Sequence, residues 1–402
     1  MIRRFKFKYD WNDFSPIPFD EEIETVRDLP LMDDLLYSSI AEISSINEPE
    51  SIIKSIYILA GLLLDRLEKK TYTPENVQAV FRFACRMTRE KNFYMEEQAK
   101  KDDVFQLFFY SFYDMATFAR SGQSLRLDEI RLIFEAVKNR EKIIQKYAAG
   151  SYDYRTEHVF LAKLFRDPRL KGYFLKALNF YESVPEHELL YDRETELDNI
   201  IDAMGTQGWT EFIGLLEKYL YYEDEIIPFT AINSLGRISG EQAAAALKRL
   251  RGRVLEGLME MDKKQLAFLD LNITRAERGC NGVITEVSRK KSPWWKKIMA
   301  IRLLTGIREI NVVRFLYRLT SDGYCEEFEA RTGSDDFTGL KVRYPVREEA
   351  MAALESYEED YIISIVGDKY IDKRESFYRE MEWLYGNEDF DIYDEDWQEE
   401  DE

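Results

Sequence analysis

Apolar residues recur along most of the chain at intervals of three and four positions, the spacing that places them on one face of an α-helix. The segments 52–67 and 77–85 show this spacing, and strand-like alternation is scarce. Three dipeptides combine a helix-capping residue with a following proline, as at helix starts: Thr73-Pro74, Asp167-Pro168 and Ser292-Pro293. The pattern therefore predicts an all-α protein of long helices joined by short turns.

Aromatic residues surround much of the helix predicted over 102–119. They are Phe105, Phe108, Phe109, Phe112, Tyr113 and Phe118. A helix that is apolar on more than one side is packed on more than one side, so we expect it to be central to the N-terminal half, residues 1–190. That half is either a set of degenerate repeats or a separate helical cap.

The second half of the chain contains internal repeats. Residues 231–250 align without gaps with 300–319 and with 200–219, and a looser copy begins at 346–354. The first alignment matches Ala231 with Ala300, Ile232 with Ile301, Leu235 with Leu304, Ile238 with Ile307, Leu247 with Leu316, Arg249 with Arg318 and Leu250 with Leu319. The second includes Ile232 with Ile201, Gly236 with Gly205 and Leu247 with Leu216. A further helix pair is expected within 254–290, and stacked helix pairs form a curved solenoid with a concave surface.

These units resemble HEAT repeats of the short type found in the phycobilin-lyase-like group. The positions that carry the resemblance are Ala231, Leu235, Gly236, Ile238, Ala243, Ala244 and Leu247, with Val346, Arg347, Ala350 and Leu354 in the last copy. The resemblance covers residues 195–370 and implies an α-α superhelix, a HEAT-like solenoid. Repeats of this kind bind other macromolecules along their concave surface.

The predicted organisation has three parts. An aromatic-rich helical region over 1–190 precedes HEAT-like repeats over 191–386, and an acidic tail follows over 387–402. The repeats are interrupted by an insert at 321–345, which we expect to be long and irregular. The tail combines ten acidic residues with aromatic ones, a composition typical of a segment that is disordered alone and docks on a basic surface.

Composition narrows the class of protein. The 402 residues carry a formal net charge of −20, which argues against broad affinity for nucleic acid or anionic lipid. Three widely separated cysteines give no disulfide framework and favour a reducing compartment such as the cytoplasm. The longest strongly apolar run, 56–64, is too short to span a bilayer, and no export signal is recognisable at the N-terminus.

One stretch is basic inside this acidic chain. Residues 237–302 hold fifteen Lys or Arg against seven acidic residues. Within it, Ser292 is expected to cap a helix, one of two adjacent tryptophans is expected to be partly exposed, and four lysines lie nearby. The partner-binding candidates here are Lys290, Lys291, Trp294, Trp295, Lys296 and Lys297. They suit an anionic partner or the protein's own acidic tail, although solvated outer faces of repeats would give the same composition.

The repeat alignment adds a second set of candidates. Lys218, Arg249 and Arg318 occupy one position of successive second helices, where they are either a basic ladder for an acidic ligand or side chains that bridge adjacent repeats.

Signals for catalysis are nearly absent. His158 and His187 are the two histidines, and neither has a Cys or His at metal-ligand spacing. No phosphate-binding loop, dinucleotide fingerprint or catalytic-serine motif is present, so the sequence predicts no catalytic, cofactor-binding or metal-binding residues and no cofactor.

Three hypotheses of function follow. The first is a cytoplasmic, non-catalytic scaffold or adaptor that binds another protein, including an inhibitor or immunity-type protein for a basic partner, because an acidic protein attracts cationic partners. The second is a nucleic-acid-binding protein with a groove like that of HEAT-like DNA glycosylases, which the net charge disfavours. The third is an enzyme of the lyase-like group that the repeats resemble.

Overall fold

The computed structural model describes residues 34–89, 91–116, 127–185, 192–289, 291–331 and 337–385. In these residues the chain forms nineteen α-helices, two short 3₁₀ helices and two strands, so the all-α prediction is confirmed. The chain divides into two compact units. Unit 1 is the described part of Met1–Glu260 together with Asn272–Glu277, and unit 2 is Met261–Leu271 together with the described part of Arg278–Glu402. The predicted boundaries at 190–191 and 386–387, and the acidic tail, lie outside the described residues.

The first helices of unit 1 surround an aromatic core. They are α1 (Asp34–Ser45), α2 (Pro49–Glu68), α3 (Pro74–Arg89), α4 (Met95–Ala99), α5 (Asp103–Tyr113) and α6 (Leu127–Lys138). Asp102 caps α5 by accepting hydrogen bonds from the backbone of Val104 and Phe105. On α5, Phe108 and Phe112 are fully buried and contact Phe81 of α3 at ring-centroid distances of 6.1 and 5.2 Å. The predicted central position of this helix is therefore confirmed.

The described part of unit 1 continues with seven further α-helices. They are α7 (Arg140–Ala148), α8 (Thr156–Phe165), α9 (Lys171–Ser183), α10 (Arg193–Gln207), α11 (Ile213–Tyr219), α12 (Ile227–Ile238) and α13 (Glu241–Leu255), with 3₁₀ turns at Pro168–Leu170 and Thr210–Phe212. Helix α8 packs on α10, α10 packs on α12, and α11 packs on α13. Helix α10 also packs on α9, and α12 packs on α11. The relation to HEAT repeats stays a prediction.

Helix α14 (Lys263–Val287) contains a break at Gly279, whose backbone has φ 63° and ψ −162°. Only glycine adopts such a conformation readily, so the helix consists of two arms on either side of this residue. The arms lie within 254–290, where the sequence predicts a helix pair. Asn272–Glu277 belong to unit 1, while the flanking residues of α14 belong to unit 2.

Unit 2 contains the later repeats. Its further elements are α15 (Trp294–Leu304), α16 (Ile310–Leu319), β1 (Glu326–Arg331), β2 (Phe337–Arg343), α17 (Pro345–Glu355), α18 (Glu359–Val366) and α19 (Lys369–Tyr385). Helix α15 packs on α17, and α16 packs on α17 and α18. The aligned positions form the cores of both units. Ile232, Leu235, Leu247 and Leu250 are fully buried in unit 1, as are Ile301, Leu304 and Leu316 in unit 2.

The insert at 321–345 requires a correction, because it is not irregular throughout. Strands β1 and β2 pair antiparallel, with Glu326 opposite Arg343 and Glu329 opposite Leu340, and the register shifts after Ala330. The local sequence alternates between apolar and charged residues over four or five positions on each side, which is the period of a strand. An alternating pattern of only four or five residues is hard to distinguish from the sequence of a loop when the rest of the chain is helical.

Candidate functional site

The predicted basic site at the start of α15 is largely neutralised by ion pairs. Lys296 Nζ lies 3.2 Å from Oε1 of Glu286, and Lys297 Nζ lies 2.7 Å from Oδ2 of Asp322. Both lysines are half-buried, and each carboxylate offsets the cost of placing a cation in the first turn of a helix. Neither ammonium group is therefore free for an anionic partner without breaking a contact inside unit 2.

The N-cap of α15 differs from the prediction. Pro293 is the N-cap residue, and Ser292 does not cap the helix, since its buried hydroxyl has no hydrogen-bond partner. Proline with φ −66° and ψ 154° provides the extended geometry that precedes a helix, but it makes no side-chain cap hydrogen bond.

The two tryptophans are both half-buried. Trp294 stacks on Tyr324 with a ring-centroid distance of 5.1 Å and an interplanar angle of 13°, and it packs against the core of unit 2. Trp295 is also half-buried. Of the two remaining lysine candidates, Lys291 is exposed and Lys290 lies outside the described residues. The structure thus brings Trp294, Lys296 and Lys297 into packed positions.

The second set of candidates divides between the two units. In unit 1, Arg249 of α13 makes a bidentate ion pair with Glu217 of α11, with N–O distances of 2.7 and 2.8 Å, while Lys218 is exposed. In unit 2, Arg318 donates a hydrogen bond to the Ser288 hydroxyl at 2.7 Å. Arg249 therefore bridges adjacent second helices, which is the structural alternative that the sequence left open.

Intramolecular ion pairs neutralise much of the basic stretch 237–302. The pairs are Arg237 with Asp202, Lys248 with Glu277, Arg249 with Glu217, Arg289 and Lys296 with Glu286, Lys297 with Asp322, and Arg302 with Glu349. Several of these carboxylates come from outside the stretch. The local excess of positive charge along the sequence is thus reduced in three dimensions.

A surface that the sequence did not single out lies at the C-terminal ends of second helices in unit 1. Its apolar and aromatic side chains come from the end of α9, from the turn after α11, and from the end of α13. We call it the aromatic strip, and it consists of Phe180, Tyr221, Tyr222, Leu255 and Leu258. Leu255 is 65% exposed, Leu258 is 64% exposed and Phe180 is 38% exposed.

Polar contacts join the parts of the aromatic strip. The Tyr219 hydroxyl donates a hydrogen bond to Glu182 at 2.5 Å, which connects α11 with the end of α9. The rings of Tyr219 and Tyr222 lie 5.9 Å apart. The Arg253 guanidinium lies 4.6 Å from the centre of the Tyr221 ring and connects α13 with the turn after α11. These contacts connect α9 with α11 and α11 with α13.

Acidic residues flank the aromatic strip along the sequence. Exposed carboxylates precede or follow each of its segments, and they are Glu182, Glu223, Glu225, Glu256 and Glu260. The strip therefore combines exposed apolar side chains with charged neighbours of both signs, since the exposed cations Lys176, Lys218, Arg253 and Lys263 lie in the same segments.

A cleft of about 370 Å³ lies between α6, α7 and the start of α8 in unit 1. Its walls are mostly charged. The lining residues are Asp128, Glu129, Arg131, Leu132, Glu135, Lys142, Ile143, Lys146, Ser151, Tyr152, Asp153, Arg155 and His158.

His158 lies at the base of the cleft as a neutral imidazole. Arg155 donates to Nε2 at 3.0 Å, so this nitrogen is the acceptor and the proton resides on Nδ1, which lies 3.3 Å from the Tyr147 hydroxyl. Burial lowers the pKa of His158 below its ordinary value, the nearby Asp153 raises it, and Arg155 lowers it further. The ring therefore holds Arg155 in place and is not exposed as a base. His187 lies outside the described residues.

A scan of the sequence against protein-family models finds no match, and a comparison with curated proteins finds no similar sequence.

The described residues place further limits on the chemistry. They contain no group of three or more His, Cys, Asp or Glu side chains arranged to hold a metal ion. Within the same residues, no helix combines the length and the apolar character required to cross a membrane. Cys85 and Cys280 are buried, Cys325 is exposed, and none of the three forms a disulfide.

Both newly found features were hard to detect in the sequence. Leu255 and Leu258 stand at a helix end, where two exposed leucines near Gly257 resemble an ordinary continuation of the apolar stripe. The cleft collects charged residues from three separate segments, and charged residues are common throughout this chain. Only the packing of α6, α7 and α8 brings them together.

Proposed function

We propose that this chain is a non-catalytic protein-binding scaffold of HEAT-like repeats in the cytoplasm, and that its aromatic strip receives a basic amphipathic segment of a partner protein. The observation that carries the proposal is the exposure of Leu255, Leu258 and Phe180 near the ends of α13 and α9, which both contact α11. Clustered exposed apolar side chains with a polar border are typical of protein interaction sites.

Charge supports a basic partner. The chain carries a net charge of −20, which accelerates association with cationic molecules. Glu182 and Glu256 follow Phe180 and Leu255 closely along the chain, so basic side chains of the partner would contact carboxylates while its apolar side chains cover Leu255 and Leu258. An inhibitor or immunity-type protein directed against a basic protein is one form of this function.

The ion pairs of the basic stretch favour this proposal over nucleic-acid binding. Arg237, Arg249 and Arg302 each contact a carboxylate of the same chain, and phosphate binding would compete with these contacts. The proposal also assigns no catalytic role to His158, because Arg155 occupies its unprotonated nitrogen.

The test measures binding of a labelled helical peptide of leucine and lysine at three-four spacing by fluorescence anisotropy. We expect the full-length protein to bind it and to bind a peptide with glutamate in place of lysine much more weakly. The double variant Leu255→Ser/Leu258→Ser should weaken binding about tenfold or more, as loss of central apolar contacts does at interfaces. Salt should weaken the remaining binding, because the border contacts are electrostatic.

The matched control is Ile58→Ser, which removes a side chain of similar exposure, 54%, from α2 in the same unit. This variant should bind the peptide as the unchanged protein does. Equal affinity of the Leu255→Ser/Leu258→Ser variant and the unchanged protein would overturn the proposal, because charge alone would then explain the binding. Saturable binding of duplex DNA in place of the peptide would also overturn it.

A further inference from the structure

Some of the charged side chains that line the cleft between α6, α7 and α8 form no ion pair with other described residues. Arg131 pairs with Asp65 and Glu68 of α2, and Arg155 pairs with Asp153. These guanidinium groups are thus committed to structural contacts. A ligand would have to be recognised by the groups that remain.

Two lysines of α7 are those remaining cations. Lys142 and Lys146 line the cleft one helical turn apart, both are exposed, and neither forms an ion pair with a residue that the structure describes. Asp128 and Asp153 line the same cleft, but both pair with Arg155, so Lys142 and Lys146 are the cations of this concavity that form a local site for an anion.

An aromatic face adjoins these lysines. The half-buried Tyr152 ring lies 4.4 Å from Tyr147 and 5.1 Å from His158, measured between ring centres, and it also lines the cleft. Lys146 Nζ lies 5.8 Å from the centre of the same ring. Because neighbouring rings hold Tyr152 in place, it offers a fixed surface on which a flat group can stack.

One carboxylate of the cleft is also available to a ligand. Glu135 of α6 lines the cleft, forms no ion pair within the described residues, and raises the pKa of Tyr152 through its charge, although burial is the larger cause. Glu135 would repel a second negative charge on a ligand and would accept a hydrogen bond from a hydroxyl or amino group.

From this arrangement we infer that the cleft binds a small aromatic monoacid, whose carboxylate or phosphate contacts Lys142 and Lys146, whose ring stacks on Tyr152, and whose hydrogen-bond donor faces Glu135. The volume of about 370 Å³ suits a ligand of one or two rings. The inference does not depend on the aromatic strip, since the two surfaces use different residues.

The experiment titrates full-length protein with 4-hydroxybenzoate, 4-hydroxyphenyl phosphate and tyramine in an isothermal calorimeter. We expect saturable binding of at least one of the two anions, and the stronger of them identifies the acidic group. Tyramine has the same ring but carries a cation, so it should bind much more weakly. The double variant Lys142→Gln/Lys146→Gln should lose about tenfold or more in affinity for the anion, and Lys142→Arg/Lys146→Arg should retain most of it.

The matched control is Lys54→Gln, which removes an exposed lysine of α2 that does not line the cleft. It should leave the affinity unchanged, and circular dichroism should give the same helix content for all variants. Absence of saturable binding of both anions overturns the inference. So does equal affinity of the Lys142→Gln/Lys146→Gln variant, or binding of tyramine as strong as that of the anions.

Discussion

Gly205 of α10 and Ser234 of α12 approach so closely that no side chain fits between them. A β-carbon at residue 205 would lie 2.2 Å from the Ser234 hydroxyl oxygen and 2.5 Å from its Cα. That hydroxyl donates a hydrogen bond to the Ile201 carbonyl oxygen at 2.9 Å. The relationship recurs one repeat later, where a β-carbon on Gly236 would lie 2.2 Å from Oδ1 of Asn272. A glycine at this repeat position thus allows adjacent first helices to touch.

The surroundings of Gly205 and Gly236 differ, so the effects of an alanine substitution at these two residues should be relieved in different ways. Gly205→Ala should destabilise unit 1 by about 2 kcal/mol, because the new methyl group would meet the backbone of α12. Gly236→Ala should cost a similar amount, but the three nearest atoms all belong to the Asn272 side chain. Asn272→Ala should therefore relieve the effect of Gly236→Ala, whereas Ser234→Ala should not relieve that of Gly205→Ala. Urea unfolding followed by circular dichroism measures all of these variants.

Gly214→Ala in α11 provides the control, because no atom lies within 4 Å of a β-carbon at that residue. Alanine favours the helix over glycine by about 0.5–1 kcal/mol, so this variant should be slightly more stable than the unchanged protein. If Gly205→Ala behaved like Gly214→Ala, the close approach of α10 and α12 would not exist in solution.

The repeat alignment pairs Gly236 with Gly205 from the sequence alone, but it could not reveal which residues face them. Helical periodicity identifies the apolar stripe because burial and the period of the helix are directly related, as at Leu235 and Leu304. The use of Lys296 and Lys297 could not be predicted in the same way. Their partners Glu286 and Asp322 are brought near by tertiary packing, and a charge excess along the sequence contains no information about such partners.

Asp198 of α10 carries a buried carboxyl group whose Oδ1 has no hydrogen-bond partner. Burial raises its pKa to about 6, partly opposed by a hydrogen bond with Thr230. The folded protein therefore holds this proton more tightly than the unfolded chain does. Protonated Asp198 therefore stabilises the folded state. This contribution is fully present below the unfolded pKa of about 4 and is lost as the pH rises through about 6.

Asp198→Asn should remove this pH dependence. At pH 8 the variant should be about 2 kcal/mol more stable than the unchanged protein, because it buries a neutral amide in place of a carboxylate. The difference should narrow as the pH falls towards 4. Urea unfolding at both pH values measures it, and a constant difference across this range would contradict the assignment.

The pKa of Asp202, one turn later on α10, is shifted in the opposite direction. It pairs with Lys163 of α8 and with Arg237 of α12, whose guanidinium lies 2.5 Å from Oδ1. Burial alone would raise its pKa, but the two cations hold the pKa at about 2. This depressed pKa contributes stability that is present above the unfolded value near 4 and is lost as the pH falls towards 2.

Asp202→Asn should destabilise unit 1 at pH 7 by about 2 kcal/mol, since it leaves two cations without their shared anion. The effect should shrink as the pH approaches 2, which is opposite to the trend for Asp198→Asn. Thermal unfolding across this pH range distinguishes the two carboxylates. Glu211→Gln serves as the control, because Glu211 forms a solvent-exposed pair with Lys171 whose loss should change stability little.

Lys297 is expected to stabilise unit 2, whereas the sequence pattern predicts that it contacts a partner. Its ammonium group faces Asp322, whose side chain is only 12% exposed, and Asp322 also accepts a hydrogen bond from the backbone of Tyr324. Lys297→Met keeps the length of the side chain and removes the charge. We expect a loss of about 1–2 kcal/mol in the free energy of unfolding, because the carboxylate is left partly buried without its cation.

Lys291→Met, at an exposed lysine of the same stretch, should change stability by less than about 0.5 kcal/mol. Urea unfolding of the two variants measures the contrast, and equal stabilities would mean that the pair with Asp322 contributes nothing and that Lys297 is available to bind a partner.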